Sequence, residues 1–124
     1  MTTLLLLITL VVPNLSLTPG IARPLTAVQV CSIAWGTDTR HVTSQMREWV
    51  FISYGVPRSE YGRYVIDHLI PRELAGADVI ENLWPQPIMD ARNKDREENR
   101  LHRAVCAHKV SLVAAQQQMR EWGR

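Results

Sequence analysis

Asp67 and His68 are adjacent in the sequence, and Asn82 follows fourteen residues after His68. A histidine titrates near neutrality, so His68 could take a proton from water at pH 7. A carboxylate such as Asp67 is the type of ligand that a hard cation such as Mg²⁺ prefers. Asn82 could hydrogen-bond the backbone near His68 and fix the orientation of that ring. The same residue types also form purely structural hydrogen bonds, so the spacing alone leaves both interpretations open.

A second group of polar side chains follows in a segment with helical character. Asp95, Glu98 and His102 are spaced i, i+3 and i+7, which places them on one helix face. Asn93 and Asp95 are best placed to supply a second metal ligand from the first turn of this helix. The alternative is a solvated, salt-bridged face, which is common on helices as rich in arginine as this one.

Two strands are expected to carry the first group. Arg63 to Ile70 is apolar, β-branched and aromatic, which predicts a strand. Asn82 to Trp84 predicts the return strand, which Pro85 and Pro87 are expected to stop. Successive side chains of a strand alternate between faces, so Asp67 and His68 would separate unless the strand ends or kinks there. The connection is long for a hairpin, so we expect function to have shaped it.

Helices are expected on both sides of this ribbon. An apolar stripe predicts a core-facing helix from Thr43 to Tyr54. The stripe consists of Met46, Trp49, Val50 and Tyr54. A second helix is predicted from Asp90 as N-cap, with Leu101 and Val105 facing inward. A last helix is predicted from Leu112 to Trp122, capped by Ser111.

Composition limits the function classes. A chain of 124 residues supports one domain and is too short for a Rossmann pair, a TIM barrel or a kinase. The net charge of +2 does not require a nucleic-acid partner. However, all but two of the fourteen basic residues are arginines, which suit bidentate phosphate contacts. The sequence contains no phosphate-binding glycine loop, zinc signature or internal repeat.

The N-terminal segment resembles an export signal. Leu4 to Val12 is apolar but much shorter than the roughly 20 residues that span a bilayer. It fits the core of a secretory signal peptide, although the preceding residues lack a basic charge. A retained lipid-facing or buried segment, or a true start further upstream, are the alternatives. We therefore expect a leader or irregular segment over residues 1–24 and a folded domain over 25–124.

Cys31 and Cys106 are the two cysteines of the chain. In an exported domain they would most simply form a disulfide. The alternative is two buried free thiols in a cytosolic protein. Neither cysteine has a second cysteine or histidine at zinc-binding spacing.

Two longer motifs resemble a known family. They read YVIDHLIPRELAG from Tyr64 and ENLWPQP from Glu81. The chain from about residue 28 to 122 is similar to HNH-type endonucleases of the His-Me finger, or ββα-metal, superfamily, in a bacterial exported branch. The resemblance implies an α+β fold in which a small ββα-metal core carries flanking helices. Ala75 departs from the pattern, because a second glycine is common there, and the last His of the H-N-H triplet has no clear counterpart.

The resemblance also implies roles for individual residues. His68 matches the general base, Asn82 the residue that holds the base-bearing strand, and Asp67 a metal ligand. The helix ligand is left open among Asn93, Asp95 and Glu98. The phosphate-binding candidates are Arg72, Arg92 and Arg96. The implied cofactor is a divalent metal, Mg²⁺ first, with Mn²⁺ or Zn²⁺ as alternatives.

Three functions follow as hypotheses. The first is a secreted or periplasmic metal-dependent nuclease that hydrolyses nucleic-acid phosphodiesters, DNA being favoured over RNA, with no membrane contact in the mature form. The second is an inactive His-Me finger module that binds nucleic acid or a protein partner, which the missing second histidine favours. The third is a disulfide-stapled structural domain in which Asp67 and His68 are a hydrogen-bonded core pair.

Overall fold

The structure is a computed structural model that describes residues 12–36 and 39–124. The expected core of the signal peptide, apart from Val12, lies outside the described residues. The described chain is a mixed α+β protein, as predicted, with one two-stranded antiparallel sheet. In chain order its main elements are α1 (Ala27–Ser32), α2 (Ser44–Ser53), β1 (Tyr64–His68), β2 (Leu83–Pro87), α3 (Ile88–Cys106) and α4 (Leu112–Arg120).

The β2 strand continues through both prolines that were expected to stop it. Pro85 pairs with Ile66 and Pro87 pairs with Tyr64 in the register of the sheet. Alternate residues of an antiparallel strand direct their N–H groups away from the partner strand, and the two prolines are two residues apart. Neither proline therefore removes a hydrogen bond between the strands, and among the residues that the structure describes no strand pairs with the other edge of β2.

The α2 helix follows the prediction closely at its ends but not on its faces. The Thr43 hydroxyl accepts a hydrogen bond from the N–H of Met46 and caps the helix. Val50 is buried as expected. Trp49, however, is 56% exposed, and Phe51 takes a buried position where it stacks on a tyrosine ring. The prediction that Trp49 belongs to the core was therefore wrong.

The α3 helix follows β2 without a loop and begins at Ile88, two residues before the predicted N-cap. Asp90 does not cap it, since its carboxylate accepts a hydrogen bond from the indole of Trp122. Leu101 and Val105 are buried, which confirms the predicted inward face. This helix therefore lies directly after the strand pair and faces the residues at the end of β1.

The remaining helices complete the main core. Ser111 caps α4 as predicted, but the helix ends at Arg120 rather than Trp122. The short α1 was not predicted. Its capping box joins Thr26 to Gln29, and its Val30 is fully buried in the main apolar cluster.

Residues before 25 also belong to the packed structure. The Thr18 hydroxyl donates to the backbone carbonyl of Leu83, and its side chain is fully buried. Ala22 forms an antiparallel bridge with Gly76. The described part of the N-terminal segment thus covers the loop between β1 and β2.

A disulfide joins Cys31 in α1 to Cys106 at the end of α3, which confirms the predicted pair. Replacing both cysteines by alanine is expected to lower the free energy of unfolding by about 4 kcal/mol, because the bond closes a long loop in the unfolded chain. Urea unfolding of the oxidised protein and of the variant measures this difference. A loss below about 1 kcal/mol, with an unchanged slope, would contradict the cross-link as a major source of stability.

No helix in the described ranges, 12–36 and 39–124, is both long and apolar enough to span a membrane.

Candidate active site

The loop between β1 and β2 folds tightly back on the end of β1. A Cβ atom placed on Gly76 would lie 1.7 Å from the carbonyl oxygen of Ile70, so only glycine fits this position. Ala75 precedes it with φ of 68°, in the left-handed region that favours glycine. The resemblance expected a second glycine at this position, and the backbone here has the conformation that glycine adopts most readily.

Asn82 holds this loop together from within. It is fully buried, and its amide nitrogen donates to the carbonyls of Ile70 at 2.9 Å and Ala77 at 3.0 Å. Its side-chain oxygen accepts from the N–H of Ile70 at 3.0 Å. Asn82 therefore fixes the backbone immediately after His68, as expected for a brace of this strand end.

His68 is the last residue of β1 and is almost fully buried. Its Nε2 lies 2.7 Å from Oδ1 of Asp78, and its Nδ1 lies 3.2 Å from a guanidinium nitrogen of Arg40. Because a carboxylate accepts and a guanidinium only donates, the neutral ring carries its proton on Nε2 and its lone pair on Nδ1.

Burial lowers the pKa of His68 below its ordinary value. The hydrogen bond to Asp78 opposes that shift, whereas the charge of Arg40 adds to it. The ring is therefore neutral at pH 7. A neutral imidazole with its lone pair on Nδ1 is the form that accepts a proton.

Asp78 is itself held in place from two sides. Its Oδ2 accepts the backbone N–H of His41 at 2.9 Å, and Arg72 lies 3.3 Å from its Oδ1. Burial alone would raise the pKa of Asp78, but the bonds from His41 and His68 and the charge of Arg72 together lower it. Asp78 is therefore an anion that orients the ring of His68.

Asp67 and His68, the last two residues of β1, both border the same cavity. The Asp67 carboxylate accepts the indole N–H of Trp84 at 3.0 Å and the ammonium of Lys94 at 2.8 Å. Trp84 is Asp67's partner in the register and is 1% exposed, so it belongs to the core.

Lys94 is fully buried on α3 and makes three polar contacts at once. Its ammonium lies 2.8 Å from Asp67, 2.7 Å from Glu98 and 2.8 Å from the carbonyl of His68. Burial alone would lower the pKa of Lys94, but the two carboxylates outweigh it and raise the pKa. Burial raises the pKa of Glu98 to about 7, although the Lys94 ammonium opposes that shift.

The cavity beside His68 has a volume of about 490 Å³ and two differently charged sides. Arg40 and Arg72 border it on the side of the imidazole, where they contact His68 and Asp78. Carboxylates border it on the side of α3. These are Asp67, Glu73, Asp95 and Glu98.

Three residues that the sequence suggested for the site are directed elsewhere. Asn93 is exposed, and its side-chain oxygen accepts a hydrogen bond from Arg96 at 2.8 Å. Arg92 and Arg96 are exposed on α3 and do not line the cavity. Of the helix ligands considered, Asp95 and Glu98 border the cavity. Of the three phosphate-binding candidates, Arg72 does.

The donor set limits the kind of metal site that is possible. In the part of the chain that the structure describes, no three His, Cys, Asp or Glu side chains are grouped to hold a metal ion. Mg²⁺, however, keeps several waters and often takes only one or two carboxylates together with substrate phosphates. Asp67 and Glu98 border one cavity with Asp95, and the Lys94 ammonium pairs with the carboxylates of Asp67 and Glu98. These residues therefore fit a hydrated ion recruited with substrate, not a closed protein cage.

Sequence reasoning missed Asp78, Arg40 and Lys94. Asp78 lies in the connection between the strands, in a Gly-Ala-Asp sequence that is typical of a turn and gives no sign of a functional carboxylate. One feature of the sequence distinguishes Lys94, because it is one of only two lysines in a chain with twelve arginines. Arg40 has no local signal.

Comparison with protein-family models, with curated proteins and with solved structures found no match to this chain.

Proposed function

We propose that the protein is a nuclease that hydrolyses phosphodiester bonds of nucleic acid, with His68 as general base. The observation that carries the proposal is the Asp78–His68 pair, whose lone pair on Nδ1 faces Arg40 at the edge of the cavity. An anion-oriented neutral imidazole beside guanidinium groups can activate water next to a bound phosphate. The proposal also agrees with the resemblance to HNH-type endonucleases, and with a ββα order of β1, β2 and α3.

The hydrolytic step follows from the tautomer. Nδ1 of His68 takes a proton from water, and the resulting hydroxide oxygen attacks the phosphorus. The bond from phosphorus to the leaving oxygen breaks, and the leaving oxygen takes a proton from a second water molecule. The His68 imidazolium returns its proton to the hydroxide left by that water. Asp78 keeps the ring oriented and stabilises the imidazolium that forms. Arg72, held beside Asp78, is placed to bind a phosphate oxygen.

The proposal includes a divalent cation, with Mg²⁺ first. Asp67 and Glu98 would hold it, and Asp95 would add negative charge to the same side of the cavity. When bound, such an ion neutralises negative charge that develops on the phosphoryl oxygens. Lys94 supplies a fixed positive charge between the same two carboxylates and limits how strongly the free protein attracts an ion.

Plasmid nicking tests the proposal directly. The purified chain with its disulfide formed is expected to nick supercoiled DNA in Mg²⁺ or Mn²⁺ and to stop when EDTA is added. A matched reaction with single-stranded RNA distinguishes the two nucleic acids. Folded protein that cleaves neither substrate with any divalent ion would contradict the nuclease assignment.

A second candidate is the inactive module that binds nucleic acid or a protein partner. The ion pairs of Lys94 with Asp67 and Glu98 favour it, because they already balance much of the negative charge that would attract a metal. Under this alternative, folded protein binds DNA in EDTA but shows no metal-dependent cleavage.

We further propose an exported location. A disulfide is typical of oxidising compartments. The bond joins the first described helix to the end of α3, so it braces the element that carries Glu98.

A further inference from the structure

The contact between Arg40 and His68 occupies the ring nitrogen that the proposed reaction needs. Nε2 is bonded to Asp78, so Nδ1 carries the lone pair, and Nδ1 lies 3.2 Å from the Arg40 guanidinium. While that hydrogen bond persists, a water molecule cannot give its proton to Nδ1. The base in the free protein is therefore correctly oriented but covered.

Arg40 is well placed to move off the ring without a change in the fold. It lies in an exposed connection before α2. The next residue, His41, anchors that connection through its backbone N–H to Asp78. The anchor keeps the arginine beside the site, while its long side chain can turn towards the cavity that it borders.

A phosphate is the chemical group that would draw the guanidinium away from the imidazole. A guanidinium–phosphate contact joins two opposite charges, whereas the contact between the guanidinium and a neutral imidazole has only one charged partner. Guanidinium also matches a phosphate through two parallel bonds, which one imidazole nitrogen cannot offer. Arg72 borders the same cavity and adds positive charge there. A phosphodiester in the cavity thus competes favourably for Arg40.

We propose that Arg40 is a phosphate-responsive cap on the general base. In the free protein it covers Nδ1 of His68, and the phosphodiester of the substrate draws it off and so exposes the base. Arg40 then binds the phosphate whose hydrolysis the uncovered base promotes. The inference rests on the proposed function, because it assigns a substrate contact to the same site.

Nitrogen NMR of the imidazole rings tests the cap without any cleavage. The chain has four histidines, and the His68→Gln variant identifies the His68 signals. Inorganic phosphate, added at pH 8 in EDTA, is expected to move the Nδ1 signal of His68 towards its position in Arg40→Gln. Sodium chloride at the same ionic strength serves as the salt control. Arg47→Gln, which alters an exposed arginine outside the cavity, should respond to phosphate as the parent does.

Kinetics provides the second readout. Arg40→Gln is expected to raise KM for DNA on the order of tenfold, with a smaller change in kcat, since a charged contact to phosphate is lost. Arg40→Lys should recover part of that loss, because lysine keeps the positive charge but cannot make two parallel hydrogen bonds to one phosphate.

The outcomes of these experiments distinguish the failure of the proposed Arg40 cap from the failure of the proposed nuclease activity. The proposed cap is contradicted if the chemical shift of His68 Nδ1 does not change with phosphate, or if it is the same in Arg40→Gln as in the parent. Either result contradicts the cap even if the protein cleaves DNA. A phosphate-dependent shift in a protein that cleaves nothing supports the cap and contradicts the proposed function.

Discussion

The His68→Gln variant is expected to cleave nucleic acid about 10²- to 10⁴-fold more slowly than the parent, because general-base catalysis contributes roughly that factor. Glutamine keeps much of the volume of this buried ring and can still donate to Asp78, but it cannot take a proton from water. The measurement is the initial rate of plasmid nicking in Mg²⁺, with thermal unfolding run in parallel to show that the variant is folded.

A matched histidine variant shows whether the loss is specific. His108 is exposed and has φ of 59°, a conformation that asparagine tolerates. His108→Asn should therefore retain the parent rate. Asp78→Asn should slow cleavage without removing the base, since the amide no longer supplies the anion that stabilises the imidazolium. Equal rates for His68→Gln and the parent would exclude His68 as the base.

The Lys94→Met variant is expected to lose about 3–5 kcal/mol of unfolding free energy, the cost typical of breaking a buried ion pair by removing one partner. Lys94 has 0% exposure, and its ammonium lies within 2.8 Å of both Asp67 and Glu98. Methionine fills a similar volume but leaves the two carboxylates without their common counter-charge. Urea unfolding measures the loss.

The other lysine of the chain provides the control substitution for Lys94→Met. Lys109 is exposed, and Lys109→Met should change stability by no more than about 0.5 kcal/mol. Adding Glu98→Gln to Lys94→Met should restore part of the loss, because it removes one uncompensated charge. A Lys94→Met protein as stable as Lys109→Met would show that the buried ammonium does not organise this site.

Local signals in the sequence predicted several elements well. Thr43 and Ser111 cap the helices that begin after them, since a hydroxyl before an apolar stripe satisfies the first free N–H groups. Leu101 and Val105 face the core because helical spacing places them together. The disulfide between the two cysteines was predicted on the condition of export, and the structure contains it.

Predictions that depended on the neighbourhood of an element were less secure. Pro85 and Pro87 are strand breakers only where a second strand needs their N–H groups, and β2 has no such neighbour within residues 12–36 and 39–124. Trp49 lies on a helical stripe, but nothing in that stripe shows how much of the helix face the rest of the chain covers.

By itself the sequence determined the adjacency of Asp67 and His68, and it predicted the α+β class and, for an exported protein, the disulfide. Only the tertiary structure decided what surrounds the ring of His68. Asp78 reaches the ring from a loop and Arg40 from the connection before α2, at separations of 10 and 28 residues. Lys94, 26 residues away on α3, binds the backbone carbonyl of His68. Contacts over such separations arise from how elements pack, and no local propensity or periodicity encodes them.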